Sequence, residues 1–331
     1  MTSKKFRSVF LARWCSKLLF CCLPIGIVLP AIADDTHSIG WMQIALPTSP
    51  SARSYPAMTY DPVSRKVILF GGFDGASYLA DTWMFDGITW TRADTPAAPP
   101  ARVNCQMAFD VVTHKVVLFG GYNGTYLGDT WLWDGRTLQW TQATPLHSPP
   151  AVTGPMVFND PSGRVDQFGG FDGRFYQATM WQWNGADWTQ LFPPTVPYAR
   201  SSAAVALNPL TSEIVMFGGL ADVNPWNTWT YDGASWTMRS PLTQPPLVYG
   251  PSASFDPHFQ GVVVFGGASG GSAQNSSWRW TGSDWQHVRT PHVPPRREGA
   301  GIAYDLRIGR LVVFGGQNGN TVLGDTWELL P

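Results

Sequence analysis

Residues 66–90 decide the fold, because their arrangement returns six times along the chain; they read KVILFGGFDGASYLADTWMFDGITW. The triplet Phe-Gly-Gly has its first glycine at positions 71, 120, 169, 218, 266 and 315, in steps of 48 or 49 residues. Self-similarity at a fixed period of this length indicates an array of small repeated units. The six repeats occupy nearly the whole chain and leave no length for a second folded domain.

Each repeat predicts four short β-strands. In the first repeat we expect strands over residues 53–61, 66–70 and 81–85, and a fourth that begins near Trp90. Asp86-Gly87 between the third and fourth strands is typical of a hairpin turn, since glycine accepts positive φ. Short strands separated by turn residues every 8–12 positions indicate an all-β fold. The pattern therefore predicts six sheets of four antiparallel strands.

Tryptophans mark two of these strands. The third strand of every repeat carries one, and so does the fourth strand of the first five repeats. The missing sixth lies at the other end of the chain, because Trp41 precedes Arg53 by 12 residues, as Trp90 precedes Arg102. We therefore expect residues 41–44 to pair with residues 325–329 and to close the six sheets into a ring. Closure removes exposed sheet edges between the two ends of the chain.

These features together resemble the kelch motif, in which a double glycine is followed by Asp-Thr-Trp and then by a second tryptophan. The resemblance covers residues 41–331 and implies a six-bladed β-propeller of kelch repeats. Its implication for function is broad, since kelch propellers include protein-interaction platforms, sugar-processing enzymes and copper oxidases. A small polar residue, such as Asp81 or Asp129, precedes each third-strand tryptophan by two positions; we expect it to accept backbone N–H groups.

The first 33 residues differ from the repeats. They combine five Lys or Arg residues with an apolar run over 18–30 and end in Ala31-Ile32-Ala33. Such a segment predicts a signal peptide cleaved after Ala33, which leaves a secreted or periplasmic propeller over residues 34–331. A membrane anchor is the alternative, but the run is shorter than the ~20 residues of a span and contains Pro24. We therefore predict no membrane span.

Charge and cysteine content limit the class of partner and the covalent cross-links that are possible. Without the leader, the 22 Lys and Arg fall to 17 while the 23 Asp and Glu remain, a net charge of −6. An acidic surface argues against nucleic acid as the partner. Cys105 is the one cysteine after residue 33, so no internal disulfide is expected. We expect a monomer without a cofactor.

Three loops carry aromatic residues at equivalent positions. The residue after the double glycine is Phe73, Tyr122 or Phe171 in the first three repeats, and Tyr78, Tyr126 and Tyr176 follow in the same loops. The kelch resemblance implies that this position borders the mouth of the central channel. We predict an aromatic rim that binds a glycan or a protein ligand. The alternative is that these rings pack the loops against one another.

Trp226 is the one tryptophan after residue 33 that falls outside the repeated columns. It lies in the loop of the fourth repeat, where other repeats have small residues such as Ala80 and Gly128. A tryptophan at such a position either fills a local gap or contacts a ligand. We include it among the predicted ligand-binding residues.

The inner strand supplies the residues of the channel. The repeated Arg53, Arg102, Arg200 and Arg297 are interpreted as structural, and Ala151 and Val248 replace arginine in the third and fifth repeats. The resemblance implies that the next residue faces the channel mouth; the set is Ser54, Val103, Val152, Ser201, Tyr249 and Glu298. Glu298 is the one carboxylate in this set, and Arg296 and Arg297 precede it. Such a carboxylate suits acid–base chemistry or a simple ion pair.

Asp166 and Gln167 interrupt the second strand of the third repeat, where other repeats have apolar pairs such as Ile68-Leu69. A carboxylate in a buried strand needs partners. Either this blade is locally open or Asp166 is hydrogen-bonded; the sequence leaves both alternatives.

Two enzyme classes are alternatives to a binding module. Galactose oxidase, a larger kelch relative, uses two tyrosines, a cysteine cross-link and two histidines for copper; here Cys105 stands alone and the histidines do not pair, so no metal is predicted. A sialic-acid mutarotase is also exported and six-bladed, and Glu298 with Arg297 would supply its chemistry. The preferred interpretation is a non-catalytic binding module with Phe73, Tyr122, Phe171, Trp226 and Glu298 at its site.

Overall fold

The computed structural model describes residues 40–223 and 227–330, and the regular structure in them is entirely β. Six sheets of four antiparallel strands form the blades of a propeller, as the sequence predicts. No helix long and apolar enough to span a membrane occurs among these residues. The predicted signal peptide and Trp226 lie outside the described residues.

The chain begins with one short strand and then builds three blades in order. The first strand is β1 (Gly40–Ile44). Blade one contains β2 (Ala57–Asp61), β3 (Lys66–Phe70), β4 (Thr82–Phe85) and β5 (Trp90–Arg92). Blade two contains β6 (Gln106–Asp110), β7 (Lys115–Phe119), β8 (Thr130–Asp134) and β9 (Gln139–Gln142). Blade three contains β10 (Met156–Asn159), β11 (Arg164–Phe171), β12 (Tyr176–Trp183) and β13 (Trp188–Leu191).

The remaining three blades repeat this order, with two small extra hairpins. Blade four contains β14 (Ala204–Asn208), β15 (Glu213–Phe217), β16 (Thr228–Tyr231) and β17 (Trp236–Arg239). Blade five contains β18 (Ser252–Asp256), β19 (Gly261–Phe265), the hairpin β20 (Ala268–Ser269) and β21 (Ser272–Ala273), then β22 (Ser277–Trp280) and β23 (Trp285–Val288). Blade six contains β24 (Gly301–Asp305), β25 (Arg310–Phe314), the hairpin β26 (Gln317–Asn318) and β27 (Thr321–Val322), then β28 (Thr326–Leu330).

The N-terminal strand closes the ring. β1 pairs antiparallel with β28, so that Trp41 lies opposite Leu329 and Gln43 lies opposite Trp327. The sheet order β1-β28-β25-β24 makes β1 the outer strand of blade six. The predicted closure by residues 41–44 is therefore confirmed.

The double glycine of each blade contacts the next blade. The Gly72 N–H donates to the carbonyl of Arg102 at 2.9 Å, and the Gly316 N–H of blade six donates to the carbonyl of Arg53 in blade one at 2.9 Å. Gly71 has φ +68, and a Cβ built there would lie 2.6 Å from the Arg102 oxygen. Any larger residue would force the two blades apart, which explains the glycine pair at the end of each second strand.

The tryptophans of the outer strands fill the interfaces between blades. Trp140 of blade two packs edge-on against Phe70 of blade one with ring centroids 5.5 Å apart. Its indole N–H donates to the hydroxyl of Thr82 in blade one at 2.8 Å. We call this hydrogen bond the interblade tryptophan bond; its donor–acceptor pairs are Trp41–Ser277, Trp90–Thr326, Trp140–Thr82, Trp188–Thr130 and Trp285–Thr228.

The repeated arginines are buried and bind the polar residue that precedes the third-strand tryptophan. Arg102 donates to both carboxylate oxygens of Asp129, at 2.6 and 2.7 Å, and to the carbonyl of Gly120 at 3.0 Å. Asp129 also accepts the indole N–H of Trp131 at 2.7 Å. The main donors to these acceptors are therefore the buried guanidinium and the indole N–H, rather than the backbone N–H groups that the sequence suggested.

Blade three answers the question that its sequence left open. Asp166 is 2% exposed and accepts hydrogen bonds from the side chains of Asn159, at 2.5 Å, and Gln182, at 2.9 Å. Gln167 is equally buried and donates to the carbonyl of Gly169 at 2.8 Å. Burial raises the pKa of Asp166 to about 6, although the two amide donors partly offset it. The blade is closed, and its carboxylate is hydrogen-bonded without a counter-ion in the described chain.

Candidate functional site

One end of the ring carries the loops between second and third strands, such as residues 71–81, and the connections between blades; we call it the loop face. There, the residue after each double glycine pairs with a residue of the inner segment. The pairs are Ser54–Phe73, Val103–Tyr122, Thr153–Phe171, Ser201–Leu220, Tyr249–Ala268 and Glu298–Gln317. These pairs hold six equivalent positions in a ring on the loop face.

The assignment of the inner segment in blade three is corrected by one residue. The Gly121 N–H donates to the carbonyl of Val152, which therefore takes the arginine position instead of Ala151. Thr153, not Val152, then pairs with Phe171. The reason is a one-residue deletion, since Val152 precedes Gly169 by 17 residues whereas Arg53 precedes Gly71 by 18.

Six aromatic rings form a continuous row across blades one to three; we call them the aromatic arc. Successive ring centroids along it lie 4.9–5.9 Å apart, both within and between blades. The order is Phe73, Tyr78, Tyr122, Tyr126, Phe171 and Tyr176. All six are half-buried. The rings thus pack against one another, as one alternative stated, and still present apolar surface to solvent.

Two ionised carboxylates stand in the loops of the aromatic arc. Asp74 accepts the backbone N–H groups of Ala76 and Ser77, which lowers its pKa. Asp172 does the same in blade three with the N–H groups of Phe175 and Arg174, and its pKa is lowered in the same way. The surface beside the arc therefore carries negative charge at neutral pH.

Two tyrosines of the arc, Tyr126 and Tyr176, remain neutral phenols. Burial raises the pKa of Tyr126, and the nearby Tyr122 and Asp172 raise it further. Burial also raises the pKa of Tyr176, with a contribution from Asp222. A neutral phenol combines an apolar ring with one hydrogen-bonding group, a combination that is common in protein interfaces.

Blade four departs from the aromatic pattern. Leu220 occupies the position after its double glycine and is 37% exposed. The predicted contact residue of this loop, Trp226, lies outside the described residues and stays a prediction. Blades five and six have Ala268 and Gln317 at the same position, so an aromatic residue follows the double glycine in blades one to three alone.

The other half holds a polar cluster at the channel mouth. Glu298 is half-buried, and its carboxylate accepts the hydroxyl of Tyr55 at 3.0 Å and the side-chain amide of Gln317 at 3.1 Å. Tyr249 of blade five lies close enough that the charge of Glu298 raises its pKa, after burial, which is the larger cause. We call Tyr55, Tyr249, Glu298 and Gln317 the channel-mouth cluster.

Tyr55 is the member of this cluster that the sequence reasoning missed. Its backbone has φ +51, and its ring lies over blades five and six, where a Cβ at Gly299 would meet the ring at 2.7 Å. Burial, and then the charge of Glu298, raise its pKa well above the ordinary value. The signal was a bulky residue where other blades have Asn104, Ser202, Gly250 or Gly299.

The arginines next to Glu298 do not contact its carboxylate. Arg297 is fully buried and donates to Asp325 at 2.7 and 2.8 Å, in the same manner as Arg102 and Asp129. Arg296 donates to the carbonyl of Ala273 at 3.2 Å. The expected pairing of Glu298 with these guanidinium groups is therefore wrong, because the repeat commits Arg297 to the blade interior.

The remaining candidate groups lie apart from the loop-face clusters. Cys105 is buried, and burial raises its pKa to about 12. His147 pairs with Asp187 at 2.8 Å in an exposed position. Within residues 40–223 and 227–330, no three His, Cys, Asp or Glu side chains converge to hold a metal ion.

Part of the chain matches a known family of domains. A family model for the kelch-repeats domain of KLHDC2, KLHL20 and DRC7 matches residues 32–155, which include β1, blades one and two and the start of blade three. No curated protein matches the chain in sequence. The columns seen in the matched part recur in the blades beyond it.

Proposed function

Because this chain is a kelch-repeat β-propeller, a fold that typically serves as a protein-interaction module, we propose that it is an exported, non-catalytic module that binds a polypeptide partner on its loop face. The aromatic arc is the observation that carries this proposal. Six half-buried rings in three adjacent blades offer a continuous apolar strip flanked by Asp74 and Asp172. Tyrosine-rich, partly polar strips of this kind suit polypeptide ligands.

The geometry favours a polypeptide over a sugar as the main ligand. A sugar ring stacks best on a free aromatic face, whereas the rings of the arc meet their neighbours tilted or edge-on, with Tyr78 and Tyr122 at 90°. An extended chain instead contacts a row of ring edges and alternating side chains. A glycan ligand therefore becomes an outcome of the test.

The sugar-processing alternative loses the residue pair on which it depended. Glu298 binds the neutral Tyr55 and Gln317, while Arg297 is held by Asp325 inside the blade. An acid–base step needs a group that moves a proton to or from a substrate, and Glu298 without a neighbouring guanidinium is the one candidate for that role among the described residues. Turnover of a sugar by the purified protein would support the enzyme as the alternative.

Peptide display tests the binding site. The mature propeller, residues 34–331, would be panned against a random peptide library, and the selected peptides measured on variants. Tyr122→Ser and Tyr126→Ser should each weaken binding by about 1–3 kcal/mol, because they remove partly exposed ring surface at the centre of the arc. Thermal melting would verify folding.

A control on the other end of the ring sharpens this test. Ile88 is 68% exposed in the hairpin between β4 and β5, so Ile88→Ser removes exposed apolar surface away from the loop face. Selected peptides should bind it as they bind the unmodified protein. If binding is instead lost with Ile88→Ser and kept with the tyrosine variants, the loop face is not the site; binders on a glycan array alone would favour a glycan ligand.

Export is part of the same proposal. The basic and apolar composition of residues 1–33 supports a signal peptide cleaved after Ala33. Expression of the full chain with its own leader should release a protein whose N-terminal residue is Asp34, as read by intact-mass measurement. Retention of the first 33 residues on the purified protein would contradict export by this route.

A further inference from the structure

The two other glutamates of the chain each bind an arginine, and Glu298 does not. Glu213 accepts from Arg239 at 2.7 Å and Glu328 accepts from Arg310 at 2.6 Å. Among the described residues, no cation lies within 4.0 Å of the Glu298 carboxylate. A half-buried carboxylate whose hydrogen-bond partners are all neutral can still attract a positive charge.

The carboxylate also retains free acceptor positions. Its two oxygens offer about four lone-pair sites, and Tyr55 and Gln317 use one on each oxygen. Because both neighbours donate to it, they orient the carboxylate without neutralising it. Lysine and arginine side chains form their strongest hydrogen bonds with such a group.

The ring of Tyr55 lies beside this position. Tyr55 adopts a left-handed backbone conformation that is unfavourable for a bulky residue, and its ring occupies space that a Cβ at Gly299 or Gly250 would obstruct. Tyr249 holds in blade five the position that Glu298 holds in blade six, since each pairs with the residue after a double glycine. Aromatic rings beside a carboxylate favour a cation, since ring faces attract positive charge.

We infer that the channel-mouth cluster is a pocket for one lysine or arginine side chain of the polypeptide partner, with Glu298 as its counter-ion. This inference rests on the proposed function and adds a charge preference to it. The pocket is continuous with the aromatic arc through blade one, because Tyr55 follows Ser54, whose backbone pairs with Phe73. A partner segment on the arc can therefore place a basic side chain at the channel mouth.

A metal ion suits this cluster less well than a basic side chain. Hard cations such as Ca²⁺ take six to eight oxygen ligands, several of them carboxylates. The cluster supplies one carboxylate, two phenols and an amide. One carboxylate with an aromatic ring beside it matches an ammonium or guanidinium group instead.

The same peptide library tests this inference. Binders selected on the unmodified propeller should be enriched in lysine or arginine at one position, and panning on Glu298→Gln should lose that enrichment. Replacement of the enriched arginine by citrulline, which has a similar shape without charge, should weaken binding roughly 10-fold. The same replacement in the peptide should change its binding to Glu298→Gln little, because this variant already lacks the counter-ion.

Asp94→Asn provides the matched control, since Asp94 is an exposed loop carboxylate and the variant loses the same charge. Enrichment of basic residues should persist on it. If Glu298→Gln does not fold, the citrulline peptide on the unmodified protein still decides the matter. Equal binding of the arginine and citrulline peptides would overturn the inference.

The failures of the two proposals are distinguishable. Peptides that depend on Tyr122 and Tyr126 but carry no basic residue would overturn the cation pocket and leave the proposed function intact. Two results would overturn both proposals: peptides whose binding does not depend on Tyr122, Tyr126 or Glu298, and a library that yields no binder to the loop face.

Discussion

Blade three lacks two polar features that blade two has: the ion pair inside the blade and the threonine that accepts the interblade tryptophan bond. In blade two, Arg102 and Asp129 form a buried ion pair, and Thr130 accepts the indole N–H of Trp188. In blade three, Val152 and Thr179 stand at the ion-pair positions. The two blades show that the repeat accepts Val152 and Thr179 in place of the buried ion pair.

The interface between blades three and four shows the consequence of a single-sided change. Met180 replaces the threonine that would accept from Trp236, and the buried indole N–H of Trp236 has no hydrogen-bond partner among the residues that the structure describes. A small cavity there is lined by Asp166, Met180 and Trp236. The charge of Asp166 also contributes, after burial, to a pKa of about 12 for Tyr231 of blade four. This interface therefore lacks the interblade tryptophan bond that the five other interfaces have.

The largest expected effect comes from breaking the ion pair of blade two on one side only. Arg102→Val should destabilise the protein by about 2–4 kcal/mol, because it leaves the carboxylate of Asp129, 21% exposed, without its cation. The double variant Arg102→Val/Asp129→Thr reproduces blade three and should recover most of this loss. Urea unfolding measures both; a double variant as unstable as the single one would contradict the comparison.

The pH dependence of this effect has a definite sign. Burial raises the pKa of Asp129, but Arg102 outweighs it and holds the pKa below its ordinary value. The stabilisation by the pair is thus present above the ordinary aspartate pKa and is lost as pH falls through the lower folded-state pKa. The difference in free energy of unfolding between Arg102→Val and the unmodified protein should therefore become smaller in acid.

Asp166 provides the opposite case. Its folded-state pKa of about 6 lies above the ordinary 3.8, so its protonated form contributes stability that is full below pH 4 and is lost as pH rises through 6. Asp166→Asn should therefore stabilise the protein by about 2–3 kcal/mol at pH 8, with little effect at pH 4. Asn159 and Gln182 can rotate their amides to suit the new side chain. If Asp166→Asn and the unmodified protein had equal free energies of unfolding at pH 8, the buried charge would not destabilise the protein.

The repeated features could be predicted from the sequence, because each appears several times and one instance supports the next. The strand over residues 66–70 and the closing strand at Trp41 are examples. The sequence placed Tyr249 and Glu298 at the channel mouth but could not show the hydrogen bond from Tyr55, since Tyr55 and Glu298 are 243 residues apart and meet because the ring closes. Spacing from the double glycine also misplaced the arginine position of blade three, where one residue is deleted.

The smallest expected effect isolates the interblade tryptophan bond itself. Trp140→Phe and Trp236→Phe remove the same atoms from two buried interfaces, but only Trp140 has a hydroxyl partner, Thr82. Both variants lose apolar contact area, and Trp140→Phe also loses a hydrogen bond and leaves the Thr82 hydroxyl without its donor. We expect Trp140→Phe to be less stable than Trp236→Phe by about 1 kcal/mol in urea unfolding at one pH.

Thr82→Val is the control for this prediction. When combined with Trp140→Phe, it should remove most of that difference in stability, because no polar group then remains unpaired. A Trp236→Phe variant that is the less stable of the two would mean that the indole N–H of Trp236 has a bonding partner, such as a buried water in the adjacent cavity.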